Sequence, residues 1–218
     1  DGDSHASIEL YQPSWDGRHV IYGVARGGSE ETTYYVMDVA TRELVDAPIA
    51  NIETAYNRPQ WTEAGDGFYY SRRRDLPADV DPTEIYKETT VRYHRLGTDP
   101  VADPVVAGFG VSERLPLLDT DLPSITVSPA SEHAVLKVKH GDNREISLFT
   151  APRSSLLSGD VPWLAINDEA DMVTDFAIDG SDVLLLTARG APRSKLVRTS
   201  LLEPDFAGAE TVIPASDT

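Results

Sequence analysis

The sequence contains no cysteine, which excludes disulfide bonds, thiolate catalysis and cysteine-ligated zinc. Basic residues are scarce, because 19 lysines and arginines stand against 36 acidic residues and leave a net charge of -17. Such an acidic chain is a poor match for nucleic acid phosphates or an anionic membrane surface, so we expect neither partner. No apolar run approaches the roughly 18 residues that a membrane-spanning helix needs.

Motifs for catalysis and metal binding are missing as well. No G-x-S-x-G stretch is present to expose a nucleophilic serine on a strand-to-helix turn. The acidic residues Asp1 and Asp3 lack the other ligands of a calcium loop. We therefore expect no catalytic residue, no metal site and no cofactor in this chain. None of the histidines has metal-ligand spacing, and each is expected to be a surface or turn residue: His5, His19, His94, His133 and His140.

What the sequence does contain is an internal repeat of a turn, an apolar strand, a polar hairpin and a second strand. Aligning the copies places Tyr22, Tyr70, Leu136 and Leu185 in register, at intervals of about 48, 66 and 49 residues. The base interval lies within the roughly 40–50 residues typical of a β-propeller blade. Insertions at residues 75–88 and 108–121 lengthen the middle interval.

Each copy extends to four strands rich in Val, Ile, Tyr, Phe and Thr, as strands prefer. Inner strands are predicted at residues 8–12, 55–61, 124–128 and 172–178, and fourth strands at residues 43–49, 103–107, 161–166 and 210–213. The dipeptides Asp16-Gly17, Asp66-Gly67 and Asp179-Gly180 predict tight turns with positive φ at glycine. The fold class is therefore all-β, a propeller fragment of about four antiparallel blades at residues 7–50, 51–108, 122–167 and 171–214. A β-sandwich, also built from short strands, is the alternative.

Propeller topology predicts where the long loops gather. In an up-and-down blade, the loop between the second and third strands and the link to the next blade emerge on the same face. Both insertions and the link at residues 51–57 belong to this face. Long loops collected on one face of a rigid scaffold indicate its working face.

Four stretches resemble one known family in order along the chain: DGRHVIYGVARGGSEETTYYVMDVAT, QWTEAGDGFYYSRR, VRYHRLGTDPVADPVV and VKHGDNREISLF. They resemble the seven-bladed propeller of prolyl oligopeptidase, from about its second blade to its fifth. The resemblance implies a non-catalytic domain that gates access of short proline-containing peptides to a separate α/β-hydrolase domain with a Ser-His-Asp triad. It also implies that this chain alone is inactive, while the parent protein resembles a serine endopeptidase.

Three residues correspond to functional positions of that family. Glu30 stands where relatives place an acid that faces an arginine of the hydrolase domain, and Tyr56 stands where some have a phenylalanine near the substrate. Lys139 aligns with a peptide-binding arginine, although lysine lacks the bidentate fork. For each, a purely structural or solvated role is the alternative. The triplet Arg72 to Arg74 beside the acidic residues 75–81 is interpreted as a gating latch or as a mobile charged loop.

Two functions remain open at this point. The chain is the propeller domain of a prolyl-oligopeptidase-like peptidase, or it is a free-standing propeller that binds peptides or proteins without chemistry. In both cases an arc of four blades leaves one apolar sheet face bare at each end. We therefore expect the isolated chain to self-associate through its end blades or to pair with missing segments.

Overall fold

The structure is a computed structural model that describes residues 5–28, 31–77 and 79–216. Over these residues the chain forms sixteen β-strands and four short 3-10 helices, with no α-helix among them. The all-β class predicted from the sequence is confirmed. None of the described helices is long and apolar enough to cross a membrane.

The strands form four antiparallel meanders of four strands each. The first sheet contains β1 (Ala6–Pro13), β2 (His19–Arg26), β3 (Thr32–Asp38) and β4 (Ile49–Ile52). The second contains β5 (Gln60–Trp61), β6 (Gly67–Arg72), β7 (Thr90–Arg95) and β8 (Val105–Gly108). The third contains β9 (Asp121–Thr126), β10 (His133–His140), β11 (Ile146–Pro152) and β12 (Leu164–Asn167). The fourth contains β13 (Val173–Asp179), β14 (Asp182–Thr187), β15 (Lys195–Ser200) and β16 (Glu210–Ile213).

The repeat seen in the sequence is a repeat of these sheets. Tyr22, Tyr70, Leu136 and Leu185 all lie in the second strand of a sheet, namely β2, β6, β10 and β14. Consecutive strands pair with each other in each sheet. The first and second sheets are also continuous at one point, where Ile52 at the end of β4 pairs with Arg72 of β6.

Apolar cores fill the spaces between neighbouring sheets. Ile21 and Tyr34 of the first sheet pack with Trp61 and Phe68 of the second. Similar clusters join the second sheet to the third and the third to the fourth. The two middle sheets are therefore covered on both faces, and β6 and β11 bury nearly every side chain. The end sheets bury alternate residues only, as β2 and β14 show.

The inner edge of the second sheet departs from the prediction. A strand was expected over residues 55–61, but β5 contains only Gln60 and Trp61. Pro59 has no N–H to donate to a ladder, and the Glu53 carboxylate accepts the backbone N–H of Ala55 at 2.9 Å instead. The segment 53–59 therefore leaves the sheet as a loop. The fourth strand of the first sheet is also displaced, since residues 43–49 were predicted and β4 begins at Ile49.

One of the three predicted glycine turns is wrong. Gly17 and Gly180 do adopt positive φ, at 71° and 63°, but in the middle turn the positive φ of 68° belongs to Gly65. Gly67 is needed for space, because a Cβ there would lie 2.5 Å from the His94 carbonyl oxygen. The dipeptide pattern thus located the turn but assigned its left-handed position to the wrong glycine.

Candidate functional site

A cavity of about 600 Å³ lies where the loop at residues 53–59 meets the two insertions, residues 75–88 and 108–121, and the hairpin after β10. Its walls come from the second and third sheets, on the loops predicted to form the working face. It is lined by Glu53, Ala55, Tyr56, Arg73, Thr83, Tyr86, Lys87, Thr120, Leu122, Gly141 and Asp142.

Tyr56 occupies the loop between β4 and β5 and is 41% exposed. The Lys137 ammonium donates to its carbonyl oxygen at 2.8 Å, and the Lys139 ammonium lies 4.7 Å from its ring centroid. Lys139 in turn donates to the carbonyl oxygen of Asn143. Burial lowers the pKa of Lys137. Two lysines of β10 therefore fix the loop backbone and cover one side of the tyrosine ring.

Tyr56 also lines a second cavity, of about 410 Å³, on the side of the inner strands β5 and β9. Residues 54–58 and Lys137 line this cavity. Ala55 and Tyr56 are lining residues of both cavities. The tyrosine loop therefore separates the loop-face cavity from the inner-strand cavity.

A buried ion pair closes the floor of the larger cavity. Nε of Arg73 donates to Oε2 of Glu53 at 2.6 Å, and the two side chains are 6% and 2% exposed. The ring of Tyr86 lies over the Arg73 guanidinium, 4.9 Å from its central carbon. Because two charges are desolvated together, the pair fixes the loop against the end of β6.

The first insertion supplies Tyr86 through a short 3-10 helix, Pro82–Tyr86. Asp81 caps this helix by accepting the backbone N–H of Thr83 at 2.9 Å, and this hydrogen bond lowers the pKa of Asp81. Lys87 follows the helix and contacts Glu84 at 3.0 Å and Asp119 at 3.8 Å. The insertion is therefore tied to the second insertion and forms a structured cavity wall.

A Ser-His-Asp relay lies behind the cavity, across three strands of the third sheet. Nε2 of His140 lies 2.8 Å from Oγ of Ser147, and Nδ1 lies 2.9 Å from Oδ1 of Asp121. The hydrogen bond that His140 donates to the Asp121 carboxylate raises the pKa of His140. Ser147 is 7% exposed and lies within the ladder of β11 opposite Val138, so no substrate carbonyl reaches it. The relay supports residues 120–122 and Gly141 of the cavity wall.

His94 shows that the expectation of surface or turn histidines is wrong for this residue. Its side chain is 0% exposed and lies 3.0 Å from Asp103 and 3.5 Å from Asp46. Tyr70 donates to the same Asp103 carboxylate at 2.8 Å. Burial by itself lowers the pKa of His94, but the hydrogen bond and charge of Asp103 and the charge of Asp46 outweigh it and raise the pKa. The histidine thus bridges the first sheet to the second.

All 218 residues match the sequence model of the prolyl oligopeptidase N-terminal β-propeller domain. The chain belongs to the prolyl oligopeptidase family. Protease 2 of Moraxella lacunata is 22% identical over 200 residues, which cover 91% of this chain and 26% of that protein. Prolyl oligopeptidase A of Amanita bisporigera is 23% identical over 232 residues, which cover 97% of this chain and 29% of that protein.

Solved prolyl oligopeptidases show the same fold. A structure from a study of two prolyl endopeptidases has a TM-score of 0.79 and 23% identity, covering 98% of this chain and 29% of that one. Apo prolyl oligopeptidase B from Galerina marginata has a TM-score of 0.76 and 22% identity, covering 97% and 29%. These matches confirm the propeller fragment. The chain spans less than a third of the relatives it matches.

Of the three residues that the prolyl oligopeptidase resemblance singled out, two meet at the cavity. Tyr56 and Lys139 are in contact, and their role in peptide binding stays a prediction. Glu30 lies outside the described residues. The sequence did not reveal the Glu53–Arg73 pair or the contact of Tyr86 with Arg73. Glu53 is 20 residues from Arg73 and Tyr86 is 13 residues from it, and such separations leave no local pattern.

Proposed function

We propose that this propeller domain is non-catalytic and binds short proline-containing peptides at the cavity, controlling their passage to a separate Ser-His-Asp hydrolase domain. The observation that carries the proposal is the position of Tyr56 between the two cavities, with a lysine on its carbonyl and another over its ring. A peptide moving from the loop face towards the inner strands passes this side chain.

The chemistry of the walls suits a proline-containing peptide. Tyr56 and Tyr86 are both about half exposed and present aromatic surface on which a proline ring packs. The lysines and the backbone of the loop offer polar groups to peptide carbonyls. The Galerina marginata relative has been solved with a 25mer macrocyclization substrate, which agrees with a peptide ligand.

The proposed partner is the hydrolase domain of the same protein, and Glu30 is proposed to face an arginine of that domain. No metal or cofactor takes part in the proposed role. The chain spans 26–30% of its relatives, and we propose that the catalytic step belongs to the separate hydrolase domain. The buried relay at Ser147 does not replace that domain.

Peptide binding tests the proposal directly. A fluorescently labelled short peptide with a central proline is titrated with the chain, and its anisotropy is followed. Tyr56→Ala is expected to weaken binding about fivefold, since an aromatic contact contributes about 1 kcal/mol. Phe109→Ala is the matched control, because Phe109 is an exposed aromatic residue of the second insertion and lies outside both cavities. Equal affinities for wild type, Tyr56→Ala and Phe109→Ala would reject this binding site.

Control of peptide passage is tested on the full protein, in which the propeller domain is joined to the proposed hydrolase domain. Tyr56→Ala is then expected to lower kcat/KM for the proline peptide while the reaction of a small active-site reagent stays unchanged. If kcat/KM for the peptide does not change, the loop is not a gate. An equal loss for both substrates would place the defect in the hydrolase domain and contradict the gate as well.

A further inference from the structure

Arg73 is a buried cation with most of its hydrogen-bonding capacity unused. A guanidinium has five N–H donors, and in Arg73 the Nε–H group donates to Glu53. Across residues 5–28, 31–77 and 79–216, no acceptor contacts Nη1 or Nη2. Nη1 and Nη2 are not among the fully buried unpaired polar atoms of the described residues, so these N–H groups reach solvent and can receive an acceptor, although the side chain as a whole is only 6% exposed.

Arg73 offers its Nη edge for a ligand. It lines the 600 Å³ cavity together with Glu53, Nε is already bonded to Glu53, and Nη1 and Nη2 are the donors that remain. The orientation is fixed from three directions. Glu53 holds Nε, the ring of Tyr86 covers the guanidinium plane, and the Arg73 backbone N–H donates to the carbonyl oxygen of Asn51 at 2.8 Å.

We propose that the Nη edge of Arg73 binds a carboxylate of the peptide, a specificity that rests on the proposed peptide-binding function. A planar fork with two parallel N–H groups matches the two oxygens of a carboxylate. The lining side chains that carry a charge at neutral pH are Glu53, Arg73, Lys87 and Asp142, two acids and two bases, so a single negative charge enters without net repulsion from the lining. Tyr56 and Tyr86 then pack against the apolar part of the same peptide.

The carboxylate has two sources, the C-terminus of a short peptide or an acidic side chain within it, and four peptides separate them. One peptide has a free C-terminus and no acidic residue, and the second is its amide. The third and fourth are amidated peptides that differ only in one Glu or Gln beside the proline. We expect the free acid or the Glu peptide to bind wild type about tenfold more tightly than its neutral counterpart, as a charge-assisted bidentate pair contributes.

The same peptides are then tested on the variant Arg73→Lys, which keeps the positive charge beside Glu53 but removes the two parallel N–H groups of the guanidinium. The tenfold preference is expected to fall below about threefold in this variant. Arg92→Lys is the matched control, since Arg92 is a half-buried arginine of β7 outside the cavity, and it is expected to keep the preference. Because the readout is a ratio of two affinities on one protein preparation, partial unfolding of a variant does not imitate the result.

Each outcome decides between the two proposals. If all four peptides bind equally to wild type and Tyr56→Ala weakens them together, the carboxylate site is wrong and the peptide-binding function stands. If a carboxylate preference survives unchanged in Arg73→Lys, Arg73 does not supply it. If none of the peptides binds, both the site and the proposed function are overturned.

Discussion

At the scale of single residues, the arginine triplet shows how neighbouring identical side chains acquire different roles. Arg72 forms an exposed pair with Asp75 at 2.8 Å, Arg73 is buried against Glu53, and Arg74 lies 3.3 Å from Glu88. All three are therefore paired within the described chain, so the triplet is not a set of free charges. Strand alternation continues past the end of β6 and explains why the middle arginine points inward.

The His94 cluster makes a prediction about pH. The pKa of His94 is raised in the folded protein, so protonated His94 stabilises the fold. This contribution is complete below the unfolded pKa of about 6.5 and is lost as the pH rises through the folded value. The groups that face the ring are Asp46, Asp103 and, through Asp103, Tyr70. Urea unfolding at closely spaced pH values from about 5.5 to 9 is expected to show wild type losing stability across this window.

His94→Gln is expected to lose about 2 kcal/mol at the acidic end, the scale of a hydrogen bond to a charged group, and to lose part of the pH dependence. His133→Gln is the matched control, because no carboxylate contacts the His133 side chain within the described part of the chain. An identical pH slope in wild type and His94→Gln would contradict the prediction. The pKa of His140 is raised as well, so His140 also contributes to the pH dependence of stability. The double variant His94→Gln with His140→Gln separates the contributions of the two histidines.

At the scale of elements, the repeat in the sequence predicted the strands that recur in every sheet. The prediction failed where a contact between side chains distant in sequence changes the path of the chain. The second strands β2, β6, β10 and β14 were located because a turn followed by an apolar strand recurs about every 48 residues, apart from the lengthened middle interval. The inner strand at residues 55–61 was wrong, because Glu53 bonds to Ala55 and Arg73 and draws the chain out of the ladder. Propeller topology and the family pattern singled out Tyr56 and Lys139 separately, whereas their contact and the floor of the cavity required the folded chain.

The turn before β6 carries a prediction that separates conformation from space. Gly65 has a φ of 68°, and a Cβ there would lie 3.5 Å from the nearest atom, which is ordinary van der Waals contact. A Cβ on Gly67 would lie 2.5 Å from both the His94 carbonyl oxygen and the Tyr93 hydroxyl. Gly65→Asn is expected to cost less than about 1 kcal/mol, because asparagine tolerates positive φ. Gly67→Asn is expected to cost about 3 kcal/mol or more through overpacking. Chemical denaturation measures both, and a better tolerated Gly67→Asn would contradict this division of roles between the two glycines.

At the scale of the whole molecule, the two end sheets differ from the middle ones by an uncovered apolar face. On the first sheet, Tyr11, Tyr22 and Tyr35 lie directly opposite one another in three neighbouring strands. On the fourth sheet, Leu186 and Leu196 are opposite one another, and Ile213 continues the row. These rows point away from the interblade cores, where Ile21 and Leu185 are buried. In relatives more than three times as long, further chain is available to cover them.

The exposed rows predict that the isolated 218-residue chain does not remain a clean monomer. Soluble monomers rarely leave apolar patches beyond about 300–600 Å² uncovered. Pairing two faces of about 300 Å² contributes about 15 kcal/mol at about 25 cal/mol per Å², against association costs of about 4–15 kcal/mol. The net charge of -17 opposes association at low salt, and salt screens this repulsion. Light scattering is therefore expected to show association that grows with protein and salt concentration.

Substitutions on the two faces locate the contact. Tyr22→Glu and Leu186→Glu place a charge in the centre of the first and fourth faces and are expected to reduce association by at least about tenfold. Leu118→Glu adds the same charge at a leucine that is 63% exposed on the second insertion, away from both faces, and is expected to change little. If only one face variant matters, that face pairs with its own copy, whereas both variants are expected to matter when the first sheet of one chain meets the fourth sheet of another. A monodisperse wild-type monomer at every concentration and salt would show that neither face drives assembly.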